Sequence, residues 1–232
     1  MPSRDITVVI TWIIDNLFPP LLRDTRWFMF PVYKMAFGKN AKAVMDFKES
    51  ILFKSDEKLY SLYASMIDSP IHNRKSALTK PCLKYILNNI TGESVMDAAC
   101  GNGFLLSKVK EKHPGVKLFG TDLSGDSHTD GIIIKQANIC SMPYDDKSFD
   151  TVLCTHAIEH IRESKKALSE LIRICKKRLI IVVPRQREFR FTMDSHVNFF
   201  PYLYNLKAFV GIEDATYFKL KGDHICVVDF DN

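Results

Sequence analysis

The sequence predicts an α/β fold, a doubly wound and mostly parallel sheet with helices on both faces. From about residue 93 onward, short β-branched runs alternate with helical stretches, and such near-continuous apolar strands are typical of parallel sheets buried on both faces. Near the end of the chain, two strand-like runs flank Lys221-Gly222-Asp223, which is a tight hairpin signal. We therefore expect one edge of the sheet to be antiparallel.

Five apolar runs form the predicted parallel part of the sheet. They are, in order, SVMDAAC, VKLFGTD, GIIIKQANI, FDTVLCT and RLIIVVP, and helical patterns follow the first, fourth and fifth. Only the segment LSGDSHTDG joins the second run to the third, whereas a parallel crossover usually takes about a dozen residues or more. We expect a loop in place of a helix at this link.

The first 90 residues predict a helical cap, and residues 91–232 the sheet domain. Apolar residues at three- and four-residue spacing occur in NAKAVMDFKESILF, DEKLYSLYASMI and RKSALTKPCLKYILNNI. The initial run ITVVITWII is apolar but is cut by Asp15 and Asn16, so it is shorter than the roughly 18 residues that a membrane-spanning helix needs. No small-residue cleavage site follows it, so we expect no signal peptide.

Aromatic residues alternate with cations in the next stretch, LLRDTRWFMFPVYKMAFGK. Two interpretations stay open: a cap folded onto the protein's own core, or an interfacial surface that gives residues 1–37 peripheral contact with a membrane or a partner. The six cysteines are scattered without a C-x-x-C pair, which indicates reduced thiols and a cytoplasmic protein, peripheral to the inner membrane face if that surface binds lipid. A net charge of +5 is too small to indicate nucleic acid as a partner.

The segment VMDAACGNGFL predicts a strand, a glycine turn and a helix N-terminus, an arrangement that binds nucleotide-like ligands. A dinucleotide turn needs a third small residue where this chain has bulky ones after Gly103, and no G-K-[ST] follows, which excludes a P-loop. Asp97 would repel a pyrophosphate, but it could pair with the α-ammonium of a methionine moiety. Asp122, at the end of the second run, could accept both ribose hydroxyls. Together these acids favour S-adenosylmethionine.

Residues 93 to about 232 resemble the class I S-adenosylmethionine-dependent methyltransferases of the type 11 group, which includes ubiquinone and menaquinone methyltransferases. The resemblance rests on VMDAACGNGFL, LFGTDLS, ANICSMPYDDKSFDTVLCTHAIEHI and LIIVVPRQ. It implies a Rossmann-like, seven-stranded sheet with an antiparallel C-terminal hairpin. It also implies methyl transfer from S-adenosylmethionine, with S-adenosylhomocysteine as product, to a small-molecule or lipid-linked acceptor.

The resemblance also implies a set of cofactor contacts. The acid before the turn and the turn itself would hold the methionine part, and Asp122 the ribose. Asn138 stands where the family usually has Asp and would accept a hydrogen bond from the adenine amino group, while Ile139 would flank the ring. The predicted cofactor-binding residues are Asp97, Ala99, Gly101, Gly103, Asp122, Leu123, Asn138, Ile139 and Thr155.

The motif H-x-x-E-H at His156, Glu159 and His160 has several interpretations. It matches an inverted zinc-protease signature, but that signature needs a continuous helix and this segment follows a strand-like run, so we expect no zinc hydrolase. A divalent metal polarising an acceptor hydroxyl, a structural role capping a helix, and a general base all stay open. The prediction we adopt has no metal ligand.

His196 is the first choice for a general base if the acceptor is a hydroxyl, because an ordinary histidine has a pKa near 6.5. His156 is the second choice, and the alternative for His196 is a loop histidine bonded to backbone. Arg185 and His160 are predicted to bind the acceptor. A non-catalytic cofactor-binding scaffold is the main rival, and a nucleic-acid methyltransferase is weaker because CTHA stands where an N-P-P-[YF] motif would follow the fourth strand.

Overall fold

The computed structural model describes residues 12–13, 17–51, 53–54, 58, 76–123, 126–192 and 194–230. The chain divides into two compact units, Met1–Lys75 with Arg187–Val197, and Ser76–Gln186 with Asn198–Asn232. The observed division at residue 75 differs from the division expected at residue 90. The smaller unit also includes Arg187–Val197, a short segment from late in the chain.

The smaller unit is a helical assembly with its own apolar core. Met29, Tyr33 and Phe37 repeat at four-residue spacing along one helix and are buried together with Val44 and Phe191. The helices whose bounds lie within its described residues are α1 Pro20–Arg23, α2 Arg26–Phe37, a 3₁₀ turn at Gly38–Asn40, α3 Ala41–Met45 and α4 Phe47–Ile51. No helix in the described part of the chain is long and apolar enough to cross a membrane. Most of ITVVITWII and of DEKLYSLYASMI lies outside the described residues.

The larger unit is built on one mixed sheet. Its strands are β1 Ser94–Ala98, β2 Lys117–Asp122, β3 Ser127–Thr129, β4 Ile132–Gln136, β5 Phe149–Thr155, β6 Cys175–Pro184, β7 Thr216–Leu220 and β8 Asp223–Asp229. The spatial order is β3-β4-β2-β1-β5-β6-β8-β7. The pairs from β4 to β6 are parallel, whereas β8 runs antiparallel to both β6 and β7. All seven predicted strands are therefore present, and the fold class is confirmed.

The predicted C-terminal hairpin is present, and its loop consists of Lys221 and Gly222. Leu220 pairs with Asp223, and Lys221 adopts a left-handed φ of 55°. The hairpin returns the chain beside β6, so β8 is buried between two strands and β7 forms the edge.

The link after β2 contains a strand that the sequence analysis missed. β3 pairs antiparallel with β4 through a loop at Asp130 and Gly131, whose φ angles of 53° and 74° are those of a type I′ turn. As expected, no helix lies in the described residues of this link. The Asp-Gly pair is the sequence signal for this hairpin, but the flanking strand of three residues is too short to be predicted from its pattern.

Helices cover both faces of the sheet. Helix α5 Lys80–Asn88 and helix α6 Phe104–Lys112 contribute Cys82, Ile86 and Leu106 to a core on one face. On the other face lie α7 Ser164–Ile174 and α8 Leu203–Val210. Because α5 packs against the sheet, it belongs to the sheet unit and not to the cap.

Candidate functional site

The predicted cofactor residues lie at one edge of the sheet. Strands β4, β2, β1 and β5 are consecutive neighbours and parallel, so their carboxyl ends meet at the same edge. Each predicted residue is at or just beyond one of these ends: Asp97, Ala99, Gly101 and Gly103 at β1, Asp122 and Leu123 at β2, Asn138 and Ile139 after β4, and Thr155 at β5.

The glycine turn after β1 bends through left-handed backbone. Ala99, Gly101 and Gly103 have φ angles of 58°, 54° and 72°, and the Gly103 N–H donates to the Cys100 carbonyl at 3.0 Å. A Cβ built on Gly101 would meet no atom within 4 Å, so the turn faces open space there. Helix α6 begins directly after Gly103, which places the positive end of its dipole at the turn.

A carboxylate at the end of β2 holds the turn in place. The Gly101 N–H donates to Asp122 Oδ2 at 2.8 Å, and the Cys100 N–H donates to the Thr121 carbonyl at 2.9 Å. These bonds connect the turn to the neighbouring strand, at whose end Asp122 is half-buried.

Asp97 presents a buried carboxyl group with an unsatisfied oxygen. Its side chain is buried, and Oδ1 has no hydrogen-bond partner. Burial, and then the nearby Asp122 charge, raises the pKa of Asp97 to about 8. A cationic amino group is the ligand that satisfies such an oxygen and stabilises the carboxylate, so this residue fits the α-ammonium of a methionine moiety.

Gly120 in β2 lies against the side chains of Cys100 in the turn and Leu106 in α6, and its role was not predicted from the sequence. A Cβ at this position would lie 2.7 Å from Cys100 Sγ and 3.0 Å from Leu106 Cδ1. Any larger residue would force the side chains of Cys100 and Leu106 to move. A glycine inside an otherwise apolar strand pattern was the available signal.

Two residues at the predicted adenine end have defined contacts. Asn138 is exposed, and its Oδ1 accepts the Cys140 N–H at 2.9 Å, which leaves one further acceptor position. Ile139 is buried in the core on the α7 face together with Met142. Leu123 is exposed beyond β2.

His156 lies between two buried carboxylates. Its Nδ1 is 3.3 Å from Glu159 Oε1, and its Nε2 is 3.4 Å from Asp223 Oδ1. Although burial lowers the pKa of His156, the contacts with Asp223 and Glu159 outweigh it and raise the pKa to about 9. The imidazole is therefore protonated at neutral pH and cannot accept another proton, so this arrangement does not support the predicted role of His156 as a base.

The remaining predicted residues are spread over both units. Arg185 is exposed just beyond β6, where its N–H donates to the Gly222 carbonyl at 2.8 Å. His160 ends the 3₁₀ turn Ile158–His160 that follows β5. His196 is buried in the segment that belongs to the smaller unit, and its assignment as a base stays a prediction.

Part of the chain is similar to known proteins. Residues 96–183 match the family model described as a methyltransferase domain, of type 11. The chain is similar to demethylmenaquinone methyltransferases of Halalkalibacterium halodurans, 25% identical over 56% of this chain, and of Symbiobacterium thermophilum, 28% identical over 37% of it. The aligned parts span 57% and 39% of those relatives' lengths.

A solved structure supports the fold. A crystal structure of a Pyrococcus horikoshii protein superimposes with a TM-score of 0.51 at 13% identity and covers 72% of this chain and 91% of that one. At this level of identity, the likeness concerns the fold alone.

Proposed function

Residues 96–183 place this chain in the type 11 methyltransferase-domain family, and on that premise we propose that the protein transfers a methyl group from S-adenosylmethionine to a small-molecule or lipid-linked acceptor. Transfer to an acceptor hydroxyl is the reaction we favour. The observation that carries the proposal is the buried, unsatisfied Asp97 oxygen beside a glycine turn that faces open space.

The residues at the sheet edge bind and orient the cofactor in this proposal. The Asp97 carboxylate accepts hydrogen bonds from the α-ammonium group, and the backbone of the Gly101–Gly103 turn faces the methionine carboxylate. The Asp122 carboxylate accepts hydrogen bonds from the ribose hydroxyls. Asn138 Oδ1 accepts a hydrogen bond from the adenine amino group at its remaining acceptor position. Bound there, S-adenosylmethionine would supply an electrophilic methyl group on a sulfonium, so the protein's main task is to hold the acceptor in line with it.

Transfer to a hydroxyl also needs a group that takes up the proton. We assign this role to His196, because His156 is already a cation bound by two carboxylates. A histidine side chain can take up the proton of an acceptor hydroxyl. Arg185 and His160 are assigned to the acceptor, since a guanidinium suits an anionic group.

The first test measures thermal unfolding of the full chain with S-adenosylhomocysteine, NAD or zinc added separately. At about a hundred times its dissociation constant, the true ligand adds about 2.7 kcal/mol of stability, which is a shift of several degrees. We expect this shift with S-adenosylhomocysteine alone. A shift with NAD or zinc but not with S-adenosylhomocysteine would refute the cofactor assignment, and cofactor binding without transfer to any hydroxyl acceptor would favour the scaffold role.

An exposed apolar surface on the smaller unit supports a lipid-linked acceptor. Of the thirteen large apolar side chains exposed in the described part of the chain, nine belong to this unit. Leu21, Trp27 and Met35 are 86%, 71% and 85% exposed, and on α2 the last two point away from the buried stripe that contains Met29 and Tyr33.

The charge of this surface favours an anionic membrane. Residues 17–54 contain seven Lys or Arg against three Asp or Glu, and Lys34, Lys39 and Lys42 are exposed. Apolar side chains inserted at the headgroup level with lysines beside them bind anionic bilayers. We therefore assign the surface formed by Leu21, Trp27 and Met35 to peripheral membrane contact.

A further inference from the structure

His156 and Glu159, which follow β5, lie beside a third buried group, Asp223, from near the end of the chain. His156 lies within 3.4 Å of both Glu159 and Asp223, and both carboxyl side chains are fully buried. Asp223 also accepts a hydrogen bond from Cys82 Sγ, at 3.2 Å from Oδ2. The cluster therefore joins the turn after β5, the first residue of β8 and helix α5.

His156 has a backbone conformation that the surroundings must maintain. Its φ of 51° is left-handed, which costs a non-glycine residue about 1 kcal/mol. The His156 N–H donates to the Val182 carbonyl at 2.9 Å and thereby continues the β5–β6 ladder by one more bond. The two carboxylates hold the ring, and the ladder holds the backbone.

This turn lies beside the glycine turn of the candidate cofactor site. Ala98 at the end of β1 pairs with Cys154 in β5, so the residues that follow each strand, Ala99 and Thr155, emerge at adjacent points of the sheet edge. A change in the course of the chain at His156 therefore alters the wall next to the glycine turn.

The His156 imidazolium places a positive charge beside two buried carboxylates. Two carboxylates face one imidazolium, and the titratable groups nearby include His160, which has a ring nitrogen within 4.8 Å of a Glu159 oxygen, the thiols of Cys82 and Cys154, and the carboxyl group of Asp97. Burial and the neighbouring carboxylates Glu159 and Asp97 raise the pKa of Cys154 well above its usual value, so that thiol stays neutral. Loss of the cation would remove a positive charge that lies within 3.4 Å of two buried carboxylates, which is unfavourable.

We propose that His156 is a positioning residue for the methyl-donor site: its imidazolium binds Glu159 and Asp223 together and so fixes the turn at the end of β5 beside the glycine turn. The inference rests on the proposed cofactor site. It gives His156 and Glu159 a role that needs neither proton transfer nor a metal.

The test compares S-adenosylhomocysteine affinity, by calorimetry on the full chain, between the parent, His156→Asn and the double variant His156→Asn with Asp223→Asn. Asparagine tolerates left-handed backbone, so the single variant removes the cation and keeps the turn allowed. We expect a loss of about tenfold in the single variant, within the range known for residues that act through others. The double variant should regain affinity, because one of the two opposed carboxylates is gone.

The outcomes separate this inference from the cofactor assignment. If the parent does not bind S-adenosylhomocysteine, the proposed function fails and the inference fails with it. If the parent binds and His156→Asn binds equally well, or the double variant binds more weakly than the single one, only the inference is overturned. If the contact were merely structural, the two substitutions would reduce S-adenosylhomocysteine affinity additively, and the double variant would regain none of it.

A second measurement covers the case in which His156→Asn does not fold. Titration of the parent by nuclear magnetic resonance should find the His156 ring still protonated at pH 8, and Glu159→Gln should lower both the pKa of that ring and the affinity for S-adenosylhomocysteine. A ring that is neutral at pH 7 would overturn the proposal.

Discussion

At the scale of single residues, Asp97 shows how a binding group is kept ready at a cost in stability. Its pKa is raised from 3.8 to about 8 by burial and by Asp122, so the free chain holds a carboxyl group that resists ionisation. A carboxyl group whose folded pKa is raised supports folding fully below its unfolded pKa and loses that support as pH rises through the folded pKa. The free protein therefore loses stability from about pH 4 to about pH 8 on account of Asp97.

The same pKa predicts how cofactor affinity depends on pH. The free carboxyl group must lose its proton to bind an ammonium group, so the affinity for S-adenosylhomocysteine should rise between pH 6 and pH 8, at most tenfold for each pH unit, and level off near pH 8. Calorimetry in buffers of different ionisation enthalpy measures both the affinity and the proton released on binding.

Asp97→Asn is the matched control for this pH dependence. The variant keeps the side-chain shape but has no proton to lose, so its free form should melt several degrees above the parent at pH 8 and bind S-adenosylhomocysteine weakly at every pH. A pH dependence that persists in Asp97→Asn would contradict the assignment of Asp97.

At the scale of secondary-structure elements, the close approach of β2, the glycine turn and α6 decides the shape of the site. Gly120 is the point of contact, since Cys100 and Leu106 already occupy the space where its Cβ would be. Gly101 and Cys100 also donate backbone hydrogen bonds to the end of β2, next to Gly120 in the chain.

Gly120→Ala should weaken both folding and cofactor binding. The added Cβ would lie 2.7 Å from Cys100 Sγ, and overpacking of this kind costs about 1–3 kcal/mol of unfolding free energy. Since Cys100 belongs to the turn, S-adenosylhomocysteine affinity should fall as well. Urea unfolding and calorimetry measure the two effects.

Gly115→Ala provides the comparison within the same unit. A Cβ at Gly115 meets no atom within 4 Å, so this change should leave cofactor affinity as it is and change the unfolding free energy by less than about 1 kcal/mol. Equal effects of the two substitutions would show that the turn does not depend on the close approach at Gly120.

At the scale of the whole molecule, the two units differ in what they expose. The sheet unit buries its apolar residues in one core on each face of the sheet. The helical unit buries one side of α2 and exposes Trp27 and Met35 on the other. A surface of this kind is unusual for a protein without a partner, which is why we assign it to a membrane.

The membrane assignment predicts charge-dependent binding to vesicles. The parent should sediment with vesicles that contain phosphatidylglycerol, be released as salt is raised, and bind neutral vesicles weakly. The triple variant Leu21→Gln, Trp27→Gln, Met35→Gln should lose this binding while its melting temperature stays within a few degrees of the parent's, because all three side chains are exposed.

A matched variant separates this surface from exposed apolar residues in general. Ile133→Gln with Tyr204→Gln changes exposed residues of the sheet unit and should leave vesicle binding intact. If the triple variant binds vesicles as the parent does, or if the parent binds none, the surface serves another partner, and a concentration-dependent oligomer lost in the triple variant would identify a second copy of this chain.

The sequence by itself determined the strands of the sheet, the glycine turn and the C-terminal hairpin. These features depend on local patterns: apolar runs of strand length, glycines where φ is positive, and a two-residue loop between strand signals. The edge strand β3 and the close approach at Gly120 left signals of the same local kind that the sequence analysis missed.

Only the tertiary structure decided the properties that depend on residues far apart in the chain. Asp97 acquires a pKa near 8 because surrounding strands exclude water from it, and His156 becomes a cation because Asp223, 67 positions later, arrives beside it on β8. The boundary between the units lies at residue 75, and not at the expected residue 90, because α5 packs on the sheet. Desolvation and long-range contacts set these outcomes, and no local pattern encodes them.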